Sequence, residues 1–177
     1  MYEIVENEYS KVIIDRALEN ITDSAILEKL VSKNRIGAGD VIDRLSDENV
    51  LTNVVLNSKF HEERLKAFEG IENEMNLTLI VCRCDDWQIR RKAIKRISNE
   101  AFLLDVCCNS KYDDMLFAAV NRIKDEDILV RVVYGASDAN VRRSAVLKIK
   151  DKSVLKDLAE NDKDEDIRRI AEKALKI

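Results

Sequence analysis

A repeat of 26 residues runs through most of this 177-residue chain and constrains its fold more than any other feature. It is clearest in a column of alanines, each 26 residues after the one before: Ala67, Ala93, Ala119, Ala145 and Ala171. An Asp or Asn stands six residues after each of the first four, and this column extends backwards with one shorter step: Asp23, Asp47, Asn73, Asn99, Asp125 and Asp151. A period of about 20–50 residues is typical of proteins in which one supersecondary unit stacks on copies of itself.

Apolar residues keep a constant place around each Asp or Asn. A leucine follows it by four residues in every repeat: Leu27, Leu51, Leu77, Leu103, Leu129 and Leu155. An Ile or Leu precedes it by two residues: Ile21, Leu45, Ile71, Ile97, Ile123 and Ile149. An Asp or Asn side chain caps a helix by accepting a hydrogen bond from an unpaired N–H of the first turn. Because the apolar positions after it share one helical face, the pattern predicts a helix of about ten residues, called helix B, in each repeat.

A second helix, called helix A, is predicted before each of these caps. In the fourth repeat it shows as an apolar stripe with helical spacing: Ile89, Ala93, Ile94 and Ile97. Only Ser98 separates this stripe from the cap Asn99 of helix B. Helices A and B of one repeat must therefore fold back on each other as a tight helical hairpin.

Composition supports a fold that is helical nearly everywhere, because the chain has no proline and only four glycines. A hairpin of two short helices cannot bury its apolar face alone, so stability must come from stacking. We therefore predict one all-α domain over residues 1–177, an α-solenoid of six helical hairpins plus a C-terminal capping helix. The predicted hairpins are 8–33, 34–58, 59–84, 85–110, 111–136 and 137–162, and the predicted capping helix is 163–177.

Three segments share the signature D-x-x-[VI]-R-x-x-A, and each begins with an Asp placed to cap helix A: 86–93, 138–145 and 164–171. Phe60 and Tyr112 stand at the corresponding cap positions of two other repeats. The signature resembles short HEAT-like repeats, including those of the phycobilin-lyase relatives. This resemblance implies a right-handed α-α superhelix with helices A outside and helices B lining the concave side. It implies little about function, since such repeats serve many roles.

The chain offers little of the chemistry that an enzyme or a metal site requires. Its one histidine, in the pair His61-Glu62, cannot build the di-iron centre of the HEAT-like deoxyhypusine hydroxylases, and no Gly-rich phosphate loop is present. The cysteines do not form the paired C-x-x-C knuckles of a zinc site: Cys82, Cys84, Cys107 and Cys108. We expect no catalysis, no cofactor and no bound metal.

The sequence also favours a cytoplasmic protein without a membrane segment. No apolar run approaches the roughly 18 residues of a membrane span. The first ten residues are acidic and lack the apolar region of a signal peptide. Four cysteines without a secretion signal indicate free thiols in a reducing compartment.

Arginine pairs recur with the same period of 26 residues and fit two interpretations. The pairs are Arg90-Arg91, Arg142-Arg143 and Arg168-Arg169. They suit either a basic stripe for phosphates or an Asp/Arg ladder between adjacent helices, and the net charge of −4 favours the ladder. Nucleic-acid binding, known in the HEAT-like alkylpurine DNA glycosylases, is thus the alternative function. Trp87 either packs over the start of its helix or anchors a partner.

The leading hypothesis is a non-catalytic scaffold that binds a protein partner on the concave face. Five and nine residues after the cap, helix B presents a second face, which is polar in the end repeats and apolar in the middle ones. With neighbouring charged and apolar positions, the candidate groove comprises Leu56, Leu79, Cys82, Leu104, Cys108, Val130, Arg131 and Tyr134. An apolar patch with a polar rim is typical of a binding surface. The competing interpretation is that these residues pack between neighbouring B helices.

Overall fold

A computed structural model describes residues 11–32, 39 and 41–176, and within them the regular structure is helical, without a β-strand. The α-helices of this described part are α1 (Lys11–Glu19), α2 (Ser24–Ser32), α3 (Glu48–Asn57), α4 (His61–Glu69), α5 (Glu74–Arg83), α6 (Trp87–Arg96), α7 (Glu100–Asn109), α8 (Asp113–Arg122), α9 (Glu126–Gly135), α10 (Ala139–Val146), α11 (Lys152–Asn161) and α12 (Glu165–Ala174). A short 3-10 helix, Ile42–Arg44, lies between α2 and α3. Most of helix A of the predicted second repeat, and residues 8–10 of the first, lie outside the described residues.

The chain divides into two compact units, residues 1–76 and 77–177, and the boundary falls in the first turn of α5. In the described part of the first unit, α2 packs against α3, and α3 packs against α4. The 3-10 helix also contacts α4. The core of this first unit includes the fully buried Leu27, Val55, Ala67 and Ile71.

The second unit shows the contacts of stacked helical hairpins. Consecutive helices pack in the pairs α7–α8, α9–α10 and α11–α12. Alternate helices pack as well, in the pairs α6–α8, α8–α10 and α10–α12 on one side and α7–α9 on the other. The predicted A helices and the predicted B helices of this unit therefore form two layers, which confirms a helical repeat.

All six predicted caps of the B helices are present. In each, a side-chain oxygen accepts a hydrogen bond from the backbone N–H two residues later, at 2.7–2.9 Å. The predicted caps of the A helices at Asp86, Asp138 and Asp164 are present too. The side chains of Phe60 and Tyr112 form no capping hydrogen bond. At these two positions, the backbone N–H donates to the hydroxyl oxygen of the serine two residues earlier, Ser58 or Ser110.

The apolar columns of the repeat form the cores of both units. All five alanines of the repeat are fully buried, and the six leucines are at most 4% exposed. The Ile or Leu before each cap is buried as well. The sequence pattern therefore identified the core residues correctly.

A glutamate directly after the cap of helix B ties one repeat to the next. In the second unit, the carboxylate of Glu100 accepts hydrogen bonds from the N–H groups of Lys124 and Asp125, at 2.9 and 2.8 Å. Glu126 does the same one repeat later, accepting from Lys150 and Asp151 at 2.5 Å each. Each carboxylate thus pairs two backbone donors in the turn just before the following B helix.

The first unit contains the same tie, whereas the sixth repeat lacks the glutamate. Glu48 accepts from the N–H groups of Glu72 and Asn73, at 3.2 and 2.8 Å. In the sixth repeat this position is Lys152. We missed this role in the sequence, although Glu48, Glu74, Glu100 and Glu126 recur with the 26-residue period.

Basic residues near the end of helix A make a complementary tie to the preceding A helix. In the second unit, the Nζ of Lys148 donates to the carbonyl groups of Val120 and Asn121, at 2.9 and 3.0 Å. The Arg122 guanidinium donates to the Ile94 and Ile97 carbonyls in the same way. The last carbonyl groups of a helix have no partner within the helix, so these cations satisfy them.

We predict that Leu103→Ala lowers the free energy of unfolding by about 2–5 kcal/mol, because it leaves a cavity in the core. The matched control is Asp105→Ala in the same helix, at an exposed position, which should cost less than about 0.5 kcal/mol. Urea unfolding followed by circular dichroism measures both. Similar costs for the two variants would show that the helix faces are assigned incorrectly.

We predict that Glu100→Ala lowers the free energy of unfolding by about 1–2 kcal/mol, because two backbone donors lose a charged acceptor. Glu100→Gln keeps an acceptor oxygen and should recover part of that loss. Lys152→Ala, at the same position of the last repeat, should change the stability by less than about 0.5 kcal/mol. Equal effects of Glu100→Ala and Lys152→Ala in the same urea titration would rule out the inter-repeat tie.

Candidate partner-binding surfaces

The eight residues of the predicted groove all lie on B helices, as expected. Leu56 is on α3 in the first unit, where it is half-buried. The other seven belong to the second unit: Leu79 and Cys82 on α5, Leu104 and Cys108 on α7, and Val130, Arg131 and Tyr134 on α9.

Burial separates these seven residues into two groups. Cys82 and Leu104 are only 9% and 6% exposed, so they belong to the core. For these two, burial supports the interpretation as packing residues. Leu104 lies on α7, which packs against α9. Leu79, Cys108 and Val130 are half-buried, whereas Arg131 and Tyr134 are exposed. The continuous apolar stripe expected from the sequence is therefore interrupted.

The part that stays accessible is centred on α9, and we call Cys108, Val130, Arg131 and Tyr134 the Tyr134 surface. Helices α7 and α9 approach closely beside it, because a Cβ added at Gly135 would stand 3.3 Å from the Cys108 Sγ. Burial raises the pKa of Cys108, and the positive charge of Arg131 offsets part of that rise.

Tyr134 is 60% exposed, yet its side chain is held in place. Its hydroxyl donates a hydrogen bond to the Asp157 Oδ2 on α11, at 2.7 Å. This hydrogen bond raises the pKa of Tyr134 to about 12, and it lowers the pKa of Asp157. Asn161 donates to the other Asp157 oxygen at 2.9 Å, which fixes the carboxylate in turn. The aromatic ring is thus presented to solvent in one orientation.

Cys82, Cys107 and Cys108 are poorly suited to act as nucleophiles. Burial raises the pKa of Cys82 to about 11 and that of Cys107 to about 12. Burial raises the pKa of Cys108 as well. Nucleophilic attack needs the thiolate, which is scarce at neutral pH when the pKa is high. Among the described residues, no three His, Cys, Asp or Glu side chains converge on a common point.

The first arginine of each pair supports the hairpins rather than facing solvent. Arg90 donates to the Cys84 carbonyl at 2.8 Å, and its guanidinium lies 3.6 Å from the centre of the Tyr112 ring. Arg142 forms a buried ion pair with Asp162, at 2.9 Å, and Arg168 donates to the Asp162 carbonyl at 2.6 Å. These three arginines are therefore engaged in contacts within the fold.

The second arginine of each pair is more exposed, and the three differ in their partners. Arg143 on α10 reaches Asp164, the N-cap of α12, at 3.7 Å and Asp166 in α12 at 2.7 Å, which is a rung of the expected ladder. Arg169 pairs with Glu165 within α12. Within the described part of the chain, Arg91 makes no ion pair, and its guanidinium lies 5.8 Å from the Trp87 ring centre.

An open cavity of about 590 Å³ lies between α6 and α8, on the A-helix side of the second unit. Helix α6 contributes Trp87, Arg91, Ile94 and Lys95 to its lining. Helix α8 contributes Asp114, Met115, Ala118 and Arg122. Trp87 is 53% exposed, so it packs over the helix start only in part.

Comparison of the chain with protein-family models, curated proteins and solved structures found no match. No helix in residues 11–32 or 41–176 has both the length and the apolar character needed to cross a membrane.

We predict that the buried thiols react slowly with iodoacetamide in the native protein. At pH 8, thiols with the raised pKa values of Cys82 and Cys107 should react at least about 100-fold more slowly than the same thiols in urea, because fewer thiolates are present. The rate should rise as the pH rises and should not level off below pH 11. The variant Cys108→Ser removes the half-buried thiol, and mass spectrometry identifies the labelled cysteines. Fast labelling of Cys107 at pH 7 would contradict the burial.

Proposed function

We propose that this protein is a non-catalytic scaffold that binds a protein partner through its B helices. The proposal includes two finer expectations from the sequence, namely that the repeats are HEAT-like and that they form a right-handed superhelix whose concave side carries the B helices. The observation that carries it is Tyr134, a largely exposed aromatic side chain held in one orientation on the B-helix layer of the second unit.

An ordered, exposed tyrosine is well suited to protein recognition. Tyrosine is enriched in protein interfaces because it buries a large apolar ring and keeps a polar hydroxyl. Since Tyr134 already has a fixed hydroxyl partner in Asp157, little side-chain entropy is lost when a partner covers the ring. Val130 and Cys108 add half-buried apolar surface beside it, and Arg131 adds a charge at the edge.

The polar groups elsewhere in the described chain support a scaffold more than an enzyme. Glu48, Glu100 and Glu126 are engaged in backbone hydrogen bonds between repeats. Arg90 and Arg142 are buried and make contacts within the protein. The regular spacing of the arginine pairs therefore supports nucleic-acid binding less than it did in the sequence alone.

We predict that Tyr134→Ala removes a specific set of proteins from those that the wild-type chain captures in an extract of its native cells. The matched control is Phe117→Ala, which removes another exposed aromatic ring, on α8 in the A-helix layer. Quantitative mass spectrometry compares the captured proteins, and circular dichroism checks that both variants are folded.

Capture is repeated after nuclease treatment to separate the two candidate functions. A set of proteins retained by Phe117→Ala, lost with Tyr134→Ala and insensitive to nuclease supports the proposal. Equal capture by Tyr134→Ala and the wild type, or capture that depends on nucleic acid, would overturn it.

A further inference from the structure

We propose that the cavity between α6 and α8 is a second binding site, and that it takes an acidic peptide segment carrying an apolar side chain. This site lies on the A helices, whereas the Tyr134 surface lies on the B helices. The inference goes beyond the scaffold proposed above, because it assigns a different surface and states the chemistry of its ligand.

The charge of α6 is the first observation. Its ten residues, WQIRRKAIKR, include five basic side chains and no acidic one, in a chain whose net charge is −4. Arg90 is buried, but Arg91, Lys92 and Lys95 are exposed. These three make no ion pair within the described residues. By contrast, the half-buried Arg143 of α10 and the exposed Arg169 of α12 are paired with carboxylates. Arg91, Lys92 and Lys95 therefore form a cluster of positive charge on α6 that no carboxylate of the described residues pairs with.

The shape and lining of the cavity are the second observation. Its volume of about 590 Å³ falls in the range of ligand-binding clefts, roughly 300–1,000 Å³. Ile94 and Met115 are buried at its base, and Ala118 is half-buried beside them. Trp87 stands half-exposed at one end, where it offers an aromatic face to an incoming apolar group. The cavity thus combines an apolar base with cations at the rim, contributed by Arg91 and Lys95.

These features together select the ligand. An apolar side chain of a peptide can enter the cavity between Trp87 and Met115, while carboxylates on either side of it reach Arg91 and Lys95. A guanidinium pairs with a carboxylate through two parallel hydrogen bonds, which also orients the peptide. Charge complementarity of this kind steers association and excludes basic segments.

A nucleic-acid strand fits the same cavity less well. Asp113 and Asp114 are exposed in the first turn of α8, and Asp114 lines the cavity opposite the α6 cations. A phosphate backbone carries a negative charge at every nucleotide and would meet these carboxylates. A peptide can place its carboxylates beside α6 only.

The chain itself provides the reporter for a test, because Trp87 is its only tryptophan. The probe is a twelve-residue peptide in which a central Leu and Phe are flanked by Asp and Glu, and the full-length chain is titrated with it at physiological salt. We expect saturable binding that shifts the Trp87 emission to shorter wavelength. A peptide with Lys in place of every Asp and Glu should not bind.

Two double variants with the same change of charge separate a site from general attraction. Arg91→Glu with Lys95→Glu reverses the two cations at the rim and should weaken binding by about tenfold or more, as expected when two charge pairs are lost. Lys124→Glu with Lys150→Glu reverses two exposed lysines outside the cavity and should weaken binding less than about twofold. Circular dichroism confirms folding, and Arg91→Gln with Lys95→Gln replaces the first pair if the reversal unfolds the chain.

Several outcomes would overturn this proposal. They are no saturable change in Trp87 emission, equal weakening by the two double variants, equal binding of the lysine peptide, and tighter binding of an oligothymidine than of the acidic peptide. Tyr134→Ala is included in the titration and should leave peptide binding unchanged. Because that variant tests only the B-helix surface, failure of one proposal is distinguishable from failure of the other.

Discussion

The fold depends on how the backbone donors at the start of each short helix are satisfied. Helices of eight to ten residues are marginal in water, and the first turn of each leaves unpaired N–H groups. The Asp or Asn cap pairs one or two of these groups within the hairpin. At Glu48, Glu100 and Glu126, the carboxylate one residue after the cap pairs two more in the turn of the next hairpin. The cap residue thus stabilises the start of its own helix, and the glutamate next to it stabilises the stacking of the following hairpin.

This arrangement explains why so much charge is compatible with a stable core. Charged residues make up 36% of the chain, and many of those in the second unit contact backbone rather than each other. Lys148 satisfies carbonyl groups at the end of one helix, and Arg168 satisfies a carbonyl in the loop before its own helix. A hydrogen bond to a charged group contributes more than a neutral one, about 1.5–3 kcal/mol. Such residues recur with the period of the repeat because the backbone groups that they satisfy recur with it.

Repetition also explains which features the sequence could predict. The caps and the buried columns are decided by local physics that acts alike in every repeat, so Asn99 and Leu103 could be placed by comparison with their equivalents. The side chains that connect one repeat to the next were harder to predict from the sequence. Glu100 and Arg122 look like ordinary surface residues until their distant backbone partners are known. The exposure of the B-helix face was the least predictable. Leu104 and Tyr134 share a pattern in the sequence, yet helix packing buries one and leaves the other exposed.

Departures from the repeat are therefore more informative about function than the repeat itself. Arg90 and Arg142 share a column that keeps its residue type, and both make contacts within the fold. Where a residue differs in type from its equivalents in the other repeats and gains no buried contact, stability does not explain why that side chain is present. Trp87 is such a case, since the equivalent residues of the neighbouring repeats are His61 and Asp113. Its ring is half-exposed beside Arg91 and Lys95, which make no ion pair within the described residues. Tyr134 differs, because its hydroxyl has a partner while its ring does not. In a protein whose recurring residues serve its stability, side chains that combine large apolar surface with exposure are the ones through which a partner is best recognised.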